Sequence, residues 1–235
     1  MLADPDSLGN LPQDAAESLF DPEFWRSRGE LQDVRGGRGS AWFIASGARQ
    51  WVLRHFRRGG FIARWSRDAY VWMGEDEVRA FAEWRLLETM TRRGLPVPQP
   101  VAARYQRTGL RYRCDLITQR ILDTEPLSAA LARDALPEPL WRAVGATIAR
   151  LHRAGADHAD LNAHNILLDV NGTVSVIDFD RGRLRAPGAW TARNLQRLRR
   201  SLAKISRGLP SDRFSDATWG WLIAGYGTGA ADDAE

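Results

Sequence analysis

The sequence predicts an α+β fold, and three observations predict it. The first half reads as strands punctuated by turns, with one amphipathic helix among them. The second half reads as helices around one tight hairpin. The chain has 235 residues, 44% hydrophobic and 26% charged, which is enough for one domain or two small lobes with a packed core.

Residues 1–22 are acidic and without periodicity, which predicts an irregular N-terminal arm. Asp4, Asp6, Asp14, Glu17, Asp21 and Glu23 precede any apolar run, so no secretory signal is expected. No apolar stretch reaches the roughly 18 residues of a membrane span, and a cytoplasmic protein, attached at most to a surface, is the expectation. From Val34 the pattern is strand, glycine turn, strand, with RGGRGSAWFI leading to QWVLRHF. A helix follows over 75–93. Val78, Ala82, Leu86 and Met90 recur every fourth residue there, and Phe81, Trp84 and Leu87 widen the stripe. Gly94 and the LPVPQP stretch stop it. Two strands fit near 101–105 and 112–121.

Pro126 and Pro137 break the stretch 122–137, and a boundary near Asp123 is expected. It separates a first lobe over 23–122 from a second over 123–235. A helix then runs from Glu138 to Arg153 with Trp141, Val144, Ile148 and Leu151 on one face. NILLD and TVSVIDF flank Asn171-Gly172, a strong hairpin signal. Two further helices are expected near 190–206 and 211–224.

The single cysteine, Cys114, excludes an internal disulfide and a cysteine-rich zinc site. The net charge is +4, and of 33 basic residues only Lys204 is a lysine. Ten tryptophans suggest contact or stacking surfaces.

The segment His158-Ala159-Asp160-Leu161-Asn162-Ala163-His164-Asn165 lies between a helix and the hairpin, and Asp178-Phe179-Asp180 ends the hairpin. A loop aspartate, an asparagine five positions on and an aspartate at a paired strand end are parts of a phosphoryl-transfer site. Asp160 can orient an attacking hydroxyl and take its proton, while Asn165 and Asp178 offer hard oxygens to Mg²⁺. Singly, these residues have ordinary roles as turn, cap or strand-end residues, and His158 reads as a packed structural histidine. Upstream, Gly36, Gly37, Gly39 and Ser40 form a turn whose backbone N–H groups can approach phosphates, although an ordinary glycine hairpin has the same pattern. Arg54 lies in the next strand, WVLRHF, where a kinase would carry its phosphate-binding lysine, and Glu83 lies in the following helix, where a kinase would pair it with that cation. With no lysine available, arginine supplies a permanent charge and a fork of donors.

On these residues the chain resembles the protein-kinase-like superfamily, and more narrowly the bacterial 3-deoxy-D-manno-octulosonic acid (Kdo) kinases of lipopolysaccharide assembly. GGRGSAW, WVLRHFRRGG, FAEWRLL, GLPVPQP, HADLNAHNILLD, IDFDRGRLR and WGWLIAGY carry the resemblance across most of 25–227. It implies a bilobal kinase-like fold, with an antiparallel-sheet N-lobe that binds nucleotide and a small, mainly helical C-lobe. It implies ATP as donor, Mg²⁺ as metal and the 4-hydroxyl of Kdo on a lipid A precursor as acceptor, at the cytoplasmic face of the inner membrane. Asp160 matches the catalytic aspartate and Asn165 and Asp178 the metal ligands. Arg54 and Glu83 match the cation–glutamate pair, and Gln119 to Ile121 the strand whose backbone meets adenine. The chain departs from protein kinases at Ala159, Asp180 and Asn162. The last stands where protein kinases carry a lysine near the transferred phosphate, a role open to Arg181 or Arg183.

Only a short run separates Asp180 from the helix near Trp190, too little for a peptide-binding ledge, so a small or lipid-linked alcohol is the expected acceptor. From Arg181 to Arg207 there are eight arginines, one lysine and no acid. Arg193, Arg197, Arg200, Lys204 and Arg207 form one helical stripe, opposite Leu195, Leu198, Leu202 and Ile205. A second cluster comprises Arg49, Arg54, Arg57, Arg58, Arg64 and Arg67, near Trp65 and Trp72. An anionic membrane surface and a plain solvated face fit the stripe equally. A kinase for another sugar or small alcohol, an inactive ATP-binding regulator and a basic nucleic-acid binder are the competing functions.

Overall fold

A computed structural model of the chain describes residues 1–8, 11, 18–33, 41–57, 69–186 and 188–228. These fall into two compact units, Met1–Glu88 with Pro98–Arg120, and Thr89–Val97 with Ile121–Glu235. The first unit is built on an antiparallel sheet and the second is mainly helical, the α+β segregation expected from the sequence.

The sheet of the first unit contains β1 (Leu2–Ala3), β2 (Leu31–Asp33), β3 (Ala41–Ser46), β4 (Arg49–His55), β6 (Pro100–Thr108) and β7 (Arg111–Gln119), in the order β1-β6-β7-β4-β3-β2. A short β5 (Tyr70–Val71) also pairs with β7. The turn that joins β3 to β4 is Gly47-Ala48, with Gly47 at φ +58°, where a side chain would be strained. The glycine turn expected at Gly36, Gly37, Gly39 and Ser40 lies outside the described residues. Its flanks, β2 and β3, are antiparallel partners with Asp33 opposite Trp42.

The N-terminal residues are not an irregular arm throughout. Leu2 and Ala3 add an edge strand to β6, and Asp4 donates its N–H to the Val101 carbonyl at 2.8 Å. After the short helix α1 (Pro5–Leu8), Leu19 and Phe20 enter the core. The helix α2 (Pro22–Ser27) starts where Asp21 accepts the Glu23 N–H at 3.0 Å and Pro22 fixes φ. Trp25 then packs edge-on against Trp51 at 6.2 Å and donates Nε1–H to the Leu19 carbonyl. Trp25, Trp51, Trp84, Trp141 and Trp190 are buried, and no described tryptophan is exposed. Those five, expected at a contact surface, build the cores, while Trp42, Trp72, Trp219 and Trp221 are half-buried. Trp72, expected beside a basic surface, packs on Tyr105 at 5.0 Å and under Arg107 at 4.8 Å.

The helix α3 (Arg79–Arg92) buries Phe81, Trp84, Leu86, Leu87 and Met90, but Ala82 is exposed. The i+4 stripe drifts around a 3.6-residue turn, and Ala82 falls off it. Arg92 is followed by Gly94 at φ +66°, the expected stop.

In the second unit the stretch 122–137 is more ordered than its prolines suggest. Pro126 ends the edge strand β8 (Thr124–Pro126) and precedes α4 (Leu127–Arg133), two places where a missing N–H costs nothing. The helix α5 (Glu138–Arg153) buries Trp141, Val144, Ile148 and Leu151, as expected. It feeds β9 (Ala156–Asp157) and the loop at 158–165. The hairpin follows as β10 (Ile166–Asp169) and β11 (Val174–Val176), with Gly172 at φ +81°. A strap of residues 181–186 then carries β12 (Arg183–Leu184), which pairs with β9, and α6 (Trp190–Ile205) follows. The last helix, α7 (Asp216–Thr228), starts later than expected. Ser215 and Thr218 cap it reciprocally, Ser215 N–H to Thr218 Oγ1 at 2.9 Å and Thr218 N–H to Ser215 Oγ at 3.3 Å. Helices α5 and α7 meet at glycines. A Cβ on Gly145 would lie 2.0 Å from the Leu222 carbonyl oxygen, and one on Gly225 2.1 Å from that of Arg142.

Candidate active site

In the first unit, Arg54 on β4 and Glu83 on α3 are in direct contact, joined by a hydrogen-bonded ion pair. The Glu83 side chain is 3% exposed and that of Arg54 23%. A carboxylate this deep needs a partner, because an ionised group removed from water without compensation is costly. The Arg54 guanidinium also lies over the Phe56 ring at 4.5 Å, so one face is packed while part of the fork stays accessible. Gln119 closes β7, opposite Trp51, and its N–H bonds the Gln99 carbonyl at 2.8 Å. Of the basic cluster on this unit, Arg49 bonds the Leu8 carbonyl at 3.2 Å and Arg54 holds Glu83. Arg58, Arg64, Arg67 and Trp65 lie outside the described residues.

In the second unit, the loop after β9 is built around His158, which is 3% exposed. Its Nδ1 accepts the Asp160 N–H at 3.1 Å and its Nε2 faces the Ile177 carbonyl at 3.0 Å. Those partners define a neutral ring with the proton on Nε2. Burial pushes its pKa down, against the pull of the Ile177 carbonyl and of Asp178 and Asp160. The ring also packs on the fully buried Phe179 at 4.6 Å. His158 is thus the structural histidine that the sequence suggests, pinning the loop to the strand end before Asp178.

The rest of the loop converges on Asp160. Its main-chain carbonyl accepts from Asn162 Nδ2 at 2.9 Å and from Asn165 Nδ2 at 3.0 Å. Asn162 Nδ2 also reaches the carboxylate Oδ2 at 3.2 Å, and Asn162 Oδ1 accepts the His164 N–H at 2.8 Å. Asn165 is 8% exposed, and its carbonyl accepts the Ile177 N–H at 2.9 Å. That ladder bond continues the β10–β11 register, in which Ile166 faces Val176, and places Asn165 beside the residue preceding Asp178. Asp178 takes φ +64°, a strained conformation for a residue other than glycine.

These residues fit a divalent cation by their donor chemistry. The Asn165 amide nitrogen is committed to Asp160, which turns its amide oxygen the other way. That oxygen and the Asp178 carboxylate are the hard donors Mg²⁺ takes. Groups of three or more His, Cys, Asp or Glu side chains suited to a metal do not occur among the described residues. A pair of one amide and one carboxylate, completed by phosphate and water oxygens, has no need of one.

Three features of the site were not legible in the sequence. The first is Arg197, one of the five stripe residues on α6, whose Nη1 lies 2.9 Å from Asp160 Oδ1. Its spacing marked it as a helical face residue and nothing in the local sequence marked its partner. The second is Asp157, held by Asn194 Nδ2 at 2.9 Å and Arg185 Nη1 at 3.0 Å. Burial raises its pKa, but these two donors and the charges of Arg185 and Arg183 bring it below the ordinary carboxylate value. The third is the strap. Arg185 N–H bonds the Gly155 carbonyl at 2.8 Å, and a Cβ on Gly155 would lie 2.6 Å from the Arg185 carbonyl oxygen. Residues 183–185 thus lie against residues 155–157, where the loop starts. Arg181 is exposed at φ +62°, and Arg183 sits on β12 beside Asp157. Among the described residues, the guanidinium in contact with Asp160 belongs to Arg197 and not to either of them.

The profile of the Lipopolysaccharide kinase (Kdo/WaaP) family matches residues 22–226. A 3-deoxy-D-manno-octulosonic acid kinase of Xanthomonas oryzae pv. oryzae (strain PXO99A) is 50% identical over 215 residues, covering 90% of this chain and 84% of that protein. A protein of the same name from Stenotrophomonas maltophilia (strain K279a) is 50% identical over 194 residues, 81% of this chain and 76% of that protein. Among solved structures, the Cydia pomonella granulovirus kinase PK-1 aligns with a TM-score of 0.46 at 12% identity, over 74% of this chain and 58% of that one.

Proposed function

The chain belongs to the lipopolysaccharide kinase (Kdo/WaaP) family, and on that premise we propose that it is an ATP-dependent Kdo kinase that phosphorylates the 4-hydroxyl of Kdo on a lipid A precursor. The observation that carries the chemistry is the loop around Asp160, where two asparagine side chains and a buried histidine fix the main chain of Asp160 while its side chain stays 62% exposed.

In this reading Asp160 receives the proton of the acceptor hydroxyl and orients its oxygen for in-line attack. Asn165 and Asp178 would hold Mg²⁺, which supplies charge neutralisation on the triphosphate when bound. Arg54, held by Glu83, contacts the non-transferred phosphates with its permanent charge. Gly36, Gly37, Gly39 and Ser40 cover the phosphates, and the backbone from Gln119 to Ile121 meets adenine. The short run between Asp180 and α6, little chain for a peptide ledge, supports a sugar hydroxyl as acceptor.

The acceptor carries a lipid anchor, so we place the enzyme at the cytoplasmic face of the inner membrane as a peripheral protein. No helix among the described residues is long and apolar enough to cross a membrane. Arg193, Arg200 and Lys204 on α6, and Arg207 just beyond it, are exposed and pair with no acid among the described residues. Each such cation near an anionic surface contributes about 1 kcal/mol. Arg197, bonded to Asp160, is no longer counted with them.

The test is ATP consumption by the purified protein against a panel of free and lipid-linked sugars, with the product located by phosphorus NMR. Asp160→Ala and Asp178→Ala should each lose several orders of magnitude in turnover while keeping the wild-type circular dichroism. A folded Asp178→Ala protein with near wild-type turnover removes the metal assignment. Phosphorylation confined to sugars other than Kdo removes the acceptor.

A further inference from the structure

We propose that Arg197 is the cation that meets the phosphoryl group during transfer, the role left open by Asn162; this rests on the kinase reading above. Asn162 is neutral and fully engaged, its amide nitrogen on Asp160 and its amide oxygen on the His164 N–H. It has nothing left to offer a developing negative charge. Arg197 brings a permanent charge to the same carboxylate from a different element, 37 residues along the chain, at 2.9 Å.

The placement is built rather than incidental. On the same face of α6, Asn194 lies one turn before Arg197 and Ser201 one turn after. Asn194, 4% exposed, bonds Asp157 Oδ1 at 2.9 Å. Ser201 Oγ accepts the Ala163 N–H at 3.2 Å. The helix is therefore fastened to the loop on both sides of Arg197, which fixes where that side chain starts. The ion pair itself is about half exposed, 49% for Arg197 and 62% for Asp160, and such pairs contribute little to stability. A rigid anchor under an accessible cation is the design of a working group and not of a structural bridge.

The distances agree with this role. A hydroxyl held by Asp160 sits about 3 Å from its carboxylate, and in-line attack brings phosphorus to within about 3.5 Å of that hydroxyl. A guanidinium bonded to the same carboxylate is then within a side-chain adjustment of the equatorial phosphoryl oxygens, with four N–H donors beyond the one used on Oδ1. In the transfer, the acceptor oxygen bonds to phosphorus. The bond from phosphorus to the β–γ bridging oxygen breaks, and its electron pair leaves with ADP. The hydroxyl proton passes to Asp160. As Asp160 becomes neutral it releases its hold on Arg197, whose charge turns to the phosphoryl oxygens as they need it.

The test compares wild type, Arg197→Gln and Arg197→Lys in steady-state transfer to Kdo-lipid A precursor. Calorimetric binding of MgADP alone and of MgADP with aluminium fluoride, a mimic of the phosphoryl group in flight, accompanies it. For Arg197→Gln, kcat should fall about 10²–10³-fold with both KM values within about threefold. Affinity for the aluminium fluoride complex should fall by a similar factor while that for MgADP holds. Arg197→Lys should recover part of both losses, because charge returns without the fork. An unchanged kcat, or a raised acceptor KM with kcat held, overturns the proposal; the second result would assign Arg197 to the acceptor's acid group. If wild type phosphorylates nothing, the Kdo kinase reading falls, and the aluminium fluoride comparison still decides whether Arg197 serves a phosphoryl group. Equal melting temperatures for the three proteins exclude a folding defect.

Discussion

Replacing Gly225 by alanine tests how the loop-bearing helix is held. The Cβ introduced would lie 2.1 Å from the carbonyl oxygen of Arg142, 2.5 Å from its Cα and 2.7 Å from its carbonyl carbon. Ordinary contact begins near 3.4 Å, so α7 and α5 must part by about 1.3 Å at this point. The obstacle is backbone on a neighbouring helix, which cannot swing aside like a side chain. Overpacking of this kind costs about 1–3 kcal/mol, or roughly 2–12 °C in melting temperature for a chain of this size. The upper half is expected here because whole helices must move. Gly220, five residues earlier on the same helix and on a different face, is the control. Nothing lies within 4 Å of a Cβ there, so Gly220→Ala gains helix propensity of about 1 kcal/mol. Thermal unfolding followed by circular dichroism should show shifts of opposite sign. A Gly225→Ala protein that melts at or above wild type would refute the close-packing account. Because α5 runs directly into the loop that carries Asp160, its kcat should fall together with its melting temperature.

Arg54 and Glu83 should behave as one unit in ATP kinetics. Arg54→Ala should lower kcat/KM for ATP strongly, Arg54→Lys should keep part of it, and a double-mutant cycle with Glu83→Ala should be strongly non-additive; additive losses would separate the two roles. The buried His152 has its pKa pushed down to about 4 by burial, with Nδ1 2.9 Å from the Tyr226 hydroxyl. The unfolded chain therefore binds a proton first as pH falls. Stability present above about pH 6.5 should be lost progressively toward pH 4, by roughly 3 kcal/mol. Urea midpoints of wild type and His152→Gln across that range measure it, and equal slopes would remove His152 as the cause. Sedimentation with anionic liposomes should show salt-sensitive binding, weakened when Arg193, Arg200, Lys204 and Arg207 become glutamine. Arg197 is left intact so that surface binding and catalysis are read separately, and equal binding by the two proteins would reduce the stripe to a solvated face.

Much of the fold could be read from local sequence because its signals are short-ranged. Glu138–Arg153 follows the apolar period from Trp141 to Leu151, and the hairpin follows Asn171-Gly172. Asp160, Asn165 and Asp178 were legible as a group because a loop and a short hairpin bring them together within a stretch of fewer than 20 residues. Arg54 and Glu83 could be paired only through a resemblance, since 29 residues separate them and strand and helix periods say nothing about which faces meet.

The errors have one physical origin. Composition counts residue types, while burial depends on partners distant in the chain. The tryptophans suggested a surface, but Trp25 and Trp51 pack edge to face in a core. The N-terminal residues looked unstructured until β6 offered Leu2 and Ala3 a strand edge. Arg197 shared charge, exposure and spacing with Arg193, Arg200 and Lys204 on α6 and with Arg207 just beyond it. The hydrophobic period on that helix fixed which side faces solvent, and so determined all five cations alike. Which one faces Asp160 was decided by the rotation and height of α6 against the loop, set by Asn194 on Asp157 and Ser201 on Ala163. Those are contacts between segments far apart in sequence, and they exist only once the chain has closed on itself.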